Sequence, residues 1–399
     1  MLGISKKATA SNLSPIRKFY PYQKKAEERG VKIYSLNIGQ PDIETPSVYF
    51  DAIKDAALII DSYAPSPGRK ELLDAIRGYY ERLGISIAND NIVVTTGGSE
   101  AILMAAFCIL DEDDEVIVPS PFYPNYNTLV KAVGGKIVAL KTDPNRDYFY
   151  ADRAMLESVY SPKTRAIIIT NPNNPTGTIL NDKDMRVIID FALAHNLYII
   201  CDEVYREICF TGDKITSILK YPEVKDNVIV IDSVSKRFSC CGARIGALIS
   251  RNKQIVENSI KLAQARLSVS TINQIGAAAM YNNTMPNYFE GIKDKYKSRV
   301  DVVVNELKKI DGVKVSRPNG AFYIMATLPV EDAEDFQKFL LEEFNDNGET
   351  VMFAPASNFY AGIGEGKNEI RLAAVLNEDR LKRAIELLAL GLIAYKKTH

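Results

Sequence analysis

Short apolar runs alternate with longer amphipathic stretches through the middle of the chain. Six of the runs are rich in Val and Ile, and they span residues 92–95, 116–118, 166–170, 198–201, 228–231 and 247–249. Helical patterns of ten or more residues lie between them, as at 98–110 and 182–195. Because the runs are almost continuously apolar, the pattern predicts an α/β fold with a mostly parallel sheet sandwiched by helices.

From about residue 286 the pattern becomes that of a mixed α+β region. Its predicted elements are a long charged helix at 286–310, strands near 313–315 and 322–326, a helix near 331–345, a strand at 369–374 and a closing helix. The first 45 residues resemble neither part. We therefore predict a large domain at 46–285 and a smaller domain at 286–399, to which the N-terminal arm at 1–45 also contributes.

The composition is that of an ordinary globular protein and excludes several classes of partner. The 399 residues are 46% hydrophobic and 25% charged, with 49 Lys and Arg against 50 Asp and Glu. This balance provides no basic surface for nucleic acid or anionic lipid. The N-terminus lacks the apolar core of a signal peptide, and no apolar run is long enough to span a bilayer. We expect a cytoplasmic protein without nucleic-acid or membrane partners.

Histidine and cysteine usage narrows the possible chemistry. The histidines are His195 and His399, so a triad or a histidine-rich zinc site would have to use His195, which we expect instead to cap the helix that it ends. The five cysteines include no CxxC pair, which disfavours disulfide frameworks and zinc knuckles. We predict no metal site, and we interpret Cys201, Cys240 and Cys241 as small core residues.

Ligands of open α/β sheets bind beyond the carboxyl ends of the strands, and four predicted strand ends carry unusual residues. The first is Thr-Thr-Gly-Gly-Ser-Glu at 95–100, where glycines and a helix N-terminus suit an anion, although an ordinary capped turn has the same pattern. The second is Asn-Pro-Asn-Asn-Pro-Thr-Gly at 171–177. Turn residues explain most of this loop, but a stiff loop can also hold one amide toward a ligand.

The third strand end is Asp202, with Tyr205 close behind it. A carboxylate at the end of a buried strand needs a cation or several donors; the alternatives are a helix cap or a rim salt bridge. The fourth contains Ser233, Ser235 and Lys236, and Arg244 follows eight residues later. Hydroxyls and an arginine can bind a phosphate, and a partly desolvated lysine can attack a carbonyl. A solvated surface lysine does not explain this clustering.

Together the four strand ends supply a lysine nucleophile, a phosphate site, a carboxylate for a cationic nitrogen and an amide, which is the set that pyridoxal 5′-phosphate requires. The chain resembles the class I/II pyridoxal phosphate-dependent aminotransferases of the aspartate aminotransferase superfamily (fold type I) over nearly its whole length. The motifs that carry the resemblance are Ser14-Pro15-Ile16-Arg17, Asn37-Ile38-Gly39-Gln40-Pro41-Asp42, Tyr63-x-Pro-x-x-Gly68, the four strand ends and Arg371-Leu372-Ala373.

The resemblance implies a role for each residue of the cofactor site. Lys236 would form the internal aldimine and move the substrate proton, and Asp202 would keep the pyridine nitrogen protonated. Asn174 and Tyr205 would bond the phenolic oxygen, and Tyr123 would stack on the ring. The residues implied to hold the phosphate are Gly98, Ser99, Ser233, Ser235, Arg244 and, from the neighbouring subunit of a homodimer, Tyr63.

The resemblance also implies how the substrate binds. Arg371 would hold the α-carboxylate with its planar guanidinium, while Asn174 and the Gly39 loop would complete the site; the alternative for Arg371 is a strand-edge salt bridge with Glu369. Several relatives that act on acidic substrates have a lysine where this chain has Ser99. Its absence puts aspartate specificity in doubt. Other arginines or the partner chain could take over this role, and the candidate arginines are Arg17, Arg69 and Arg266.

The leading hypothesis is therefore an aminotransferase that moves an amino group from an L-amino acid to a 2-oxo acid in ping-pong half reactions, with aspartate, aromatic and alanine types open. A carbon–sulfur lyase or decarboxylase on the same fold is the alternative enzyme. A non-catalytic binding module is disfavoured by the complete catalytic set and by the absence of a DNA-binding segment. The glycine run at 362–366 lacks the spacing of a dinucleotide-binding motif.

Overall fold

A computed structural model describes residues 2–9, 14, 17–212 and 215–398 of the chain. Pro15 and Ile16 of the Ser-Pro-Ile-Arg motif, and His399, lie outside these residues. The strands are β1 (Lys32–Ser35), β2 (Ile92–Thr95), β3 (Glu115–Ser120), β4 (Lys136–Lys141), β5 (Thr164–Thr170), β6 (Tyr198–Asp202), β7 (Val228–Ser233), β8 (Gly246–Ile249), β9 (Lys314–Val315), β10 (Tyr323–Thr327), β11 (Glu349–Met352), β12 (Ala354–Pro355) and β13 (Glu369–Ala373).

The α-helices occupy most of the segments between these strands. They are α1 (Lys6–Thr9), α2 (Tyr20–Glu28), α3 (Val48–Asp55), α4 (Lys70–Arg82), α5 (Gly98–Ile109), α6 (Asn125–Ala132), α7 (Arg153–Val159), α8 (Asp182–Ala194), α9 (Val234–Arg237), α10 (Lys253–Arg266), α11 (Thr271–Asn283), α12 (Pro286–Leu307), α13 (Ala333–Glu342) and α14 (Glu378–Thr398). Among the described residues, no helix combines the length and apolarity needed to cross a membrane.

The central sheet of the described chain has seven strands in the order β2-β8-β7-β6-β5-β3-β4. Every neighbouring pair is parallel except those of β8, which runs antiparallel to both β2 and β7. The predicted α/β fold with a mostly parallel sheet is confirmed. The reversal of β8 brings its first residues, and Arg244 just before them, to the edge where the parallel strands end.

Both faces of this sheet are covered by helices. Successive residues of β7 alternate between two apolar clusters: Val228 and Val230 pack with α4, α8 and α11, whereas Ile229 and Ile231 pack with α5 and α10. The alternation follows from the pleat of a strand, which points neighbouring side chains to opposite faces. Strand β4 was not predicted, although residues 137–140 form a short apolar run; it is an edge strand, and most of its residues are partly exposed.

Both ends of the chain meet in the smaller α+β part. Strands β12, β13, β10 and β9 form an antiparallel sheet, and β1 pairs in parallel with β11. Tyr34 and Leu36 from the N-terminal segment lie in one apolar core with residues of α12, α13 and α14. A further cluster joins Tyr205 of the large part to Phe322 and Tyr323 of the small one. The boundaries at residues 45 and 286 stay a prediction.

Candidate active site

A cavity of about 620 Å³ lies where the carboxyl ends of the central strands face the smaller part of the molecule. Its lining includes twelve of the thirteen predicted site residues, namely Gly39, Gly98, Ser99, Tyr123, Asn174, Asp202, Tyr205, Ser233, Ser235, Lys236, Arg244 and Arg371. Tyr63 is not part of this lining; its side chain is exposed. The fold thus gathers residues that are more than 300 positions apart in the chain into one site.

Lys236 reaches across the cavity toward the N-terminal loop. It lies on the short helix α9, directly after β7, and the Ser233 hydroxyl caps this helix by accepting a hydrogen bond from the Ser235 amide at 3.1 Å. The Lys236 Nζ donates to the Gly39 carbonyl at 2.6 Å. The amine is therefore half-buried, oriented and within the same cavity as the carboxylate of Asp202.

Asp202 ends β6 with only 6% of its surface exposed. Its Oδ2 accepts from the Tyr126 hydroxyl at 2.8 Å, and its Oδ1 accepts from the Val204 amide at 3.2 Å. Burial nevertheless raises the pKa of this carboxyl from 3.8 to about 6, because removal from water disfavours the charged form more than the two bonds favour it. Within the described residues no lysine or arginine forms an ion pair with it, so a cationic ligand group would be stabilised here.

The opposite end of the cavity is suited to an anion. Helix α5 begins at Gly98, and Gly97 before it has φ +78°, a conformation that glycine adopts without strain. Arg244 extends over this helix start, where its Nη2 donates to the Thr96 carbonyl at 3.3 Å. The hydroxyl residues Ser99, Ser233 and Ser235 line the same corner. Helix amides, hydroxyls and a guanidinium are groups that can bind a phosphate.

The loop at 171–177 directs one of its three asparagines into the cavity. The Asn171 side chain bonds the backbone of Leu180, and Asn173 Oδ1 accepts from Thr176. These two amides are structural. Asn174 lines the cavity, and its Oδ1 accepts from Arg371 Nη1 at 3.2 Å.

Arg371 is a buried cation that forms no ion pair with a carboxylate of the described residues. It lies on β13 with 1% of its surface exposed, and its Nη2 donates to the Asn37 carbonyl at 2.7 Å. Its Nε has no hydrogen-bond partner among the residues that the structure describes. Burial lowers the pKa of this guanidinium. The alternative salt bridge with Glu369 is wrong, because Glu369 accepts from the Tyr360 hydroxyl at 2.6 Å and no carboxylate of the described chain pairs with Arg371. The site has room for a ligand carboxylate.

The structure separates the three arginines that could bind a second carboxylate. Arg266 pairs with Glu100 at 2.7 Å, and Arg69 pairs with Glu71 at 3.2 Å; neither is in the cavity lining. Arg17 does line the cavity, and no carboxylate of the described residues pairs with it. Of these three arginines, Arg17 alone lines the cavity.

Two tyrosines of the site were missed by the sequence analysis. Tyr126 bonds Asp202, as described, and its position three residues after Tyr123, close to one helical turn, is a usable signal. Tyr323 lies inside an apolar strand pattern that conceals it, yet its hydroxyl is 2.9 Å from that of Tyr205. Burial and the neighbouring Tyr323 hold the pKa of Tyr205 well above its ordinary value, so Tyr205 is a neutral hydroxyl.

One further expectation differs from the structure and one agrees with it. Cys241 is half-buried and lines the cavity, whereas Cys201 and Cys240 are buried. His195 caps helix α8 as predicted: it directly follows the helix, and its backbone N–H donates to the carbonyls of Phe191 and Leu193. Its ring packs on Tyr160 with 3.9 Å between the ring centroids, and its Nε2 lies 2.9 Å from the Glu157 carboxylate. Neither feature changes the site.

The donor set fits pyridoxal 5′-phosphate. No cation of the described residues pairs with the buried Asp202 carboxylate, and the protonated ring nitrogen would supply one. The helix start beside Arg244 offers hydrogen-bond donors that would hold the phosphate. Lys236 lies in the same cavity as both. Asn174 and Tyr205 add an amide and a neutral hydroxyl.

Known proteins resemble this chain over almost its full length. Residues 31–388 match the family described as aminotransferase class I and II. An aspartate aminotransferase of Bacillus subtilis is 31% identical, covering 91% of this chain and 92% of that protein, and a probable N-acetyl-LL-diaminopimelate aminotransferase of the same organism is 32% identical over 97% and 95%. The structure of a Thermus thermophilus aspartate aminotransferase with maleate superposes with a TM-score of 0.88 at 26% identity, covering 98% of this chain and all of that one. The chain thus belongs to the class I and II aminotransferases, a family of pyridoxal phosphate-dependent enzymes.

Proposed function

We propose that this aminotransferase binds pyridoxal phosphate in the cavity through Lys236, with Asp202 at the ring nitrogen and Arg244 at the phosphate. Bound there, the cofactor supplies an electron sink for negative charge at the substrate α-carbon. Tyr123 would lie against the ring, and Asn174 and Tyr205 would donate to its phenolic oxygen. The support for this proposal is that one cavity contains both a buried carboxylate, which a cationic nitrogen would stabilise, and a helix start beside Arg244, which can bind a phosphate.

The observation that carries the substrate assignment is the unpaired, buried guanidinium of Arg371. An α-carboxylate would offset the free-energy cost of burying this charge. The two parallel N–H groups of a guanidinium match the two oxygens of a carboxylate, which the ammonium of a lysine cannot do. With the carboxylate held there, Lys236 can act as a base that takes the proton from the substrate α-carbon and delivers it to carbon C4′ of the cofactor. The closing contact would come from the Gly39 loop.

A dicarboxylic amino donor fits the charges of the cavity. Among the described residues, the lining contains four cations, Arg17, Lys236, Arg244 and Arg371, and one anion, Asp202. The cofactor and an α-carboxylate would engage three of the cations, which leaves Arg17 for a second acidic group on the substrate. The names of the related aspartate aminotransferases, and the structure of one of them with the dicarboxylate maleate, support this assignment.

The proposed enzyme is a homodimer in which Tyr63 reaches the phosphate site of the partner. The segment before Tyr63 exposes apolar side chains: Ile59 is 98% and Ile60 is 75% exposed, and Phe50 on α3 is also exposed. Such an apolar patch is typical of a surface that a second protein covers. Tyr63, itself 80% exposed, lies at the end of this patch.

A cytoplasmic setting is part of the same proposal. None of the five cysteines forms a disulfide bond. Thiols of this kind stay reduced in the cytosol, where glutathione and thioredoxin act. A fraction-specific immunoblot of cells that produce the protein would test the location.

The first experiment is an absorbance spectrum of the protein loaded with pyridoxal phosphate, followed by addition of single L-amino acids without an oxo acid. Loss of the visible band with L-aspartate or L-glutamate, followed by its return with a 2-oxo acid, is the expected result. Release of thiol, ammonia or carbon dioxide with the band retained would instead indicate the lyase or decarboxylase. A spectrum without any visible band would contradict the assignment of Lys236.

Arg17→Gln tests the dicarboxylate directly. Loss of a partly exposed charge pair should lower kcat/KM for L-aspartate about fivefold and leave that for L-alanine unchanged. Arg69→Gln is the matched control, since Arg69 is outside the cavity lining. Equal losses for both amino acids would show that Arg17 does not bind the second carboxylate.

A further inference from the structure

Tyr323 connects the smaller part of the molecule to the cofactor site. It is the first residue of β10, it is buried, and it pairs with Ala373 on β13, the strand that carries Arg371. Its hydroxyl lies 2.9 Å from the hydroxyl of Tyr205, which follows β6 of the large part. The two hydroxyl groups therefore form a hydrogen bond across the cavity.

The position of Tyr323 is fixed on two sides. The guanidinium of Arg371 lies over its ring, 4.2 Å from the centroid. The Gly39 loop packs against its hydroxyl so closely that a Cβ at Gly39 would overlap the oxygen atom. The hydroxyl thus has little freedom to leave Tyr205.

The number of hydrogen atoms constrains the direction of this bond. Each hydroxyl carries one hydrogen, and within the described chain each has the other as its hydrogen-bond partner. If Tyr205 donates to Tyr323, the hydrogen of the Tyr323 hydroxyl faces the Gly39 loop and the Arg371 guanidinium. A guanidinium carries no hydrogen-bond acceptor, so it cannot accept this hydrogen. If Tyr323 donates, the Tyr205 hydrogen remains and can point to an acceptor in the cavity. Only the second arrangement satisfies both groups once the phenolic oxygen of a cofactor is present.

We propose that Tyr323 is a positioning residue that donates to Tyr205 and thereby directs the Tyr205 hydrogen at the phenolic oxygen of the cofactor. This inference rests on the proposed function, because it requires pyridoxal phosphate beside Tyr205. Hydrogen bonds in such a chain polarise one another, so the Tyr205 hydroxyl becomes a stronger donor while Tyr323 donates to it. When Tyr205 donates to the phenolic oxygen, it stabilises the negative charge on that oxygen. It therefore favours the form of the loaded enzyme in which the Lys236 nitrogen has lost its proton.

Tyr323→Phe tests this by removing the hydroxyl while keeping the ring under Arg371. The pH midpoint at which the visible band of the loaded enzyme changes should rise by about 0.5 to 1 unit, the equivalent of one neutral hydrogen bond. The kcat should fall a few-fold and the KM for the amino acid should stay constant, because the Arg371 site is intact. Tyr296→Phe is the matched control: Tyr296 is a buried tyrosine of the same cluster, and its hydroxyl has no partner within the described chain.

A double-variant cycle distinguishes positioning from a direct effect. Tyr205→Phe should raise the same midpoint, and Tyr323→Phe should cause no additional rise in that background, since it acts only through Tyr205. An unchanged midpoint in Tyr323→Phe, additive shifts in the double variant, or a rise in KM alone would each overturn the inference. The last result would mean that the Tyr323 hydrogen binds the substrate carboxylate. A wild-type protein without a visible band would overturn the proposed function, and this inference with it.

Discussion

When Asp202 is replaced by asparagine, the stability of the cofactor-free variant relative to the cofactor-free wild type is expected to increase as the pH rises. The carboxylate is buried with no cationic partner in the described part of the chain, and its pKa is raised from 3.8 to about 6. Between these two values the folded chain binds a proton that the unfolded chain has released. The free energy of unfolding of the wild type therefore falls as the pH increases through this window. The variant has an uncharged asparagine at this position, so it does not lose this stability.

The size of the effect follows from the shift. A rise of about two units corresponds to about 3 kcal/mol once both states are ionised. At pH 4.5 about one third of this loss has occurred, because the unfolded carboxyl is already mostly ionised, so the change that remains between pH 4.5 and pH 7.5 is about 2 kcal/mol. The amide of the variant would also alter the bonds to Tyr126 and Val204, but that contribution is the same at every pH.

Urea unfolding of the cofactor-free wild type and of Asp202→Asn at a series of pH values measures this difference. The stability of the variant relative to the wild type should increase by about 2 kcal/mol from pH 4.5 to 7.5. Addition of pyridoxal phosphate should reverse the trend, because a cationic ring nitrogen stabilises the wild-type carboxylate and not the amide. A relative stability that is constant with pH would refute the account of Asp202 as a buried, cation-seeking group.

Three further substitutions test the remaining parts of the site. Lys236→Ala should remove the visible band of the loaded protein and lower turnover more than about 1,000-fold, because the group that moves the proton is lost; normal turnover in a kinetic assay would contradict this. Arg371→Lys should reduce kcat/KM about 100-fold, mainly through KM, since an ammonium cannot replace the two-pronged contact; an equal KM would exclude the α-carboxylate role. Gly39→Ala should lower the free energy of unfolding by about 1–3 kcal/mol because the new methyl overlaps Tyr323, whereas Gly291→Ala, with open space around it, should not; urea midpoints that agree for both would contradict the packing.

Residues that directly follow a buried strand were the ones that the sequence could indicate. Asp202 and Lys236 are polar side chains at the ends of apolar runs, and this contrast is local. Tyr323 is an aromatic residue within an apolar pattern, where a core role and a site role look the same. The contact of Arg371 with the Asn37 carbonyl uses a backbone atom, for which no residue type is a signal.

Strand direction and long-range pairing were likewise hidden. An apolar run has the same pattern whether the strand is parallel or antiparallel, so the reversal of β8 required the sheet itself. The partners of β1 and β11 are joined by no local pattern, and the sequence indicated only that both chain ends differ from the middle. The choice among Arg17, Arg69 and Arg266 depended on which side chains already have carboxylate partners.

The pairing of β1 with β11 has a consequence for how the protein is made. Lys32 and Glu349 are neighbours although 317 positions separate them, so this contact cannot form until most of the chain has left the ribosome. The central sheet is complete at Ile249 and can assemble earlier, with the Asp202 and Lys236 segments in place. The surface that would bind cofactor is thus a product of early folding, and the Arg371 pocket that would bind substrate is added last.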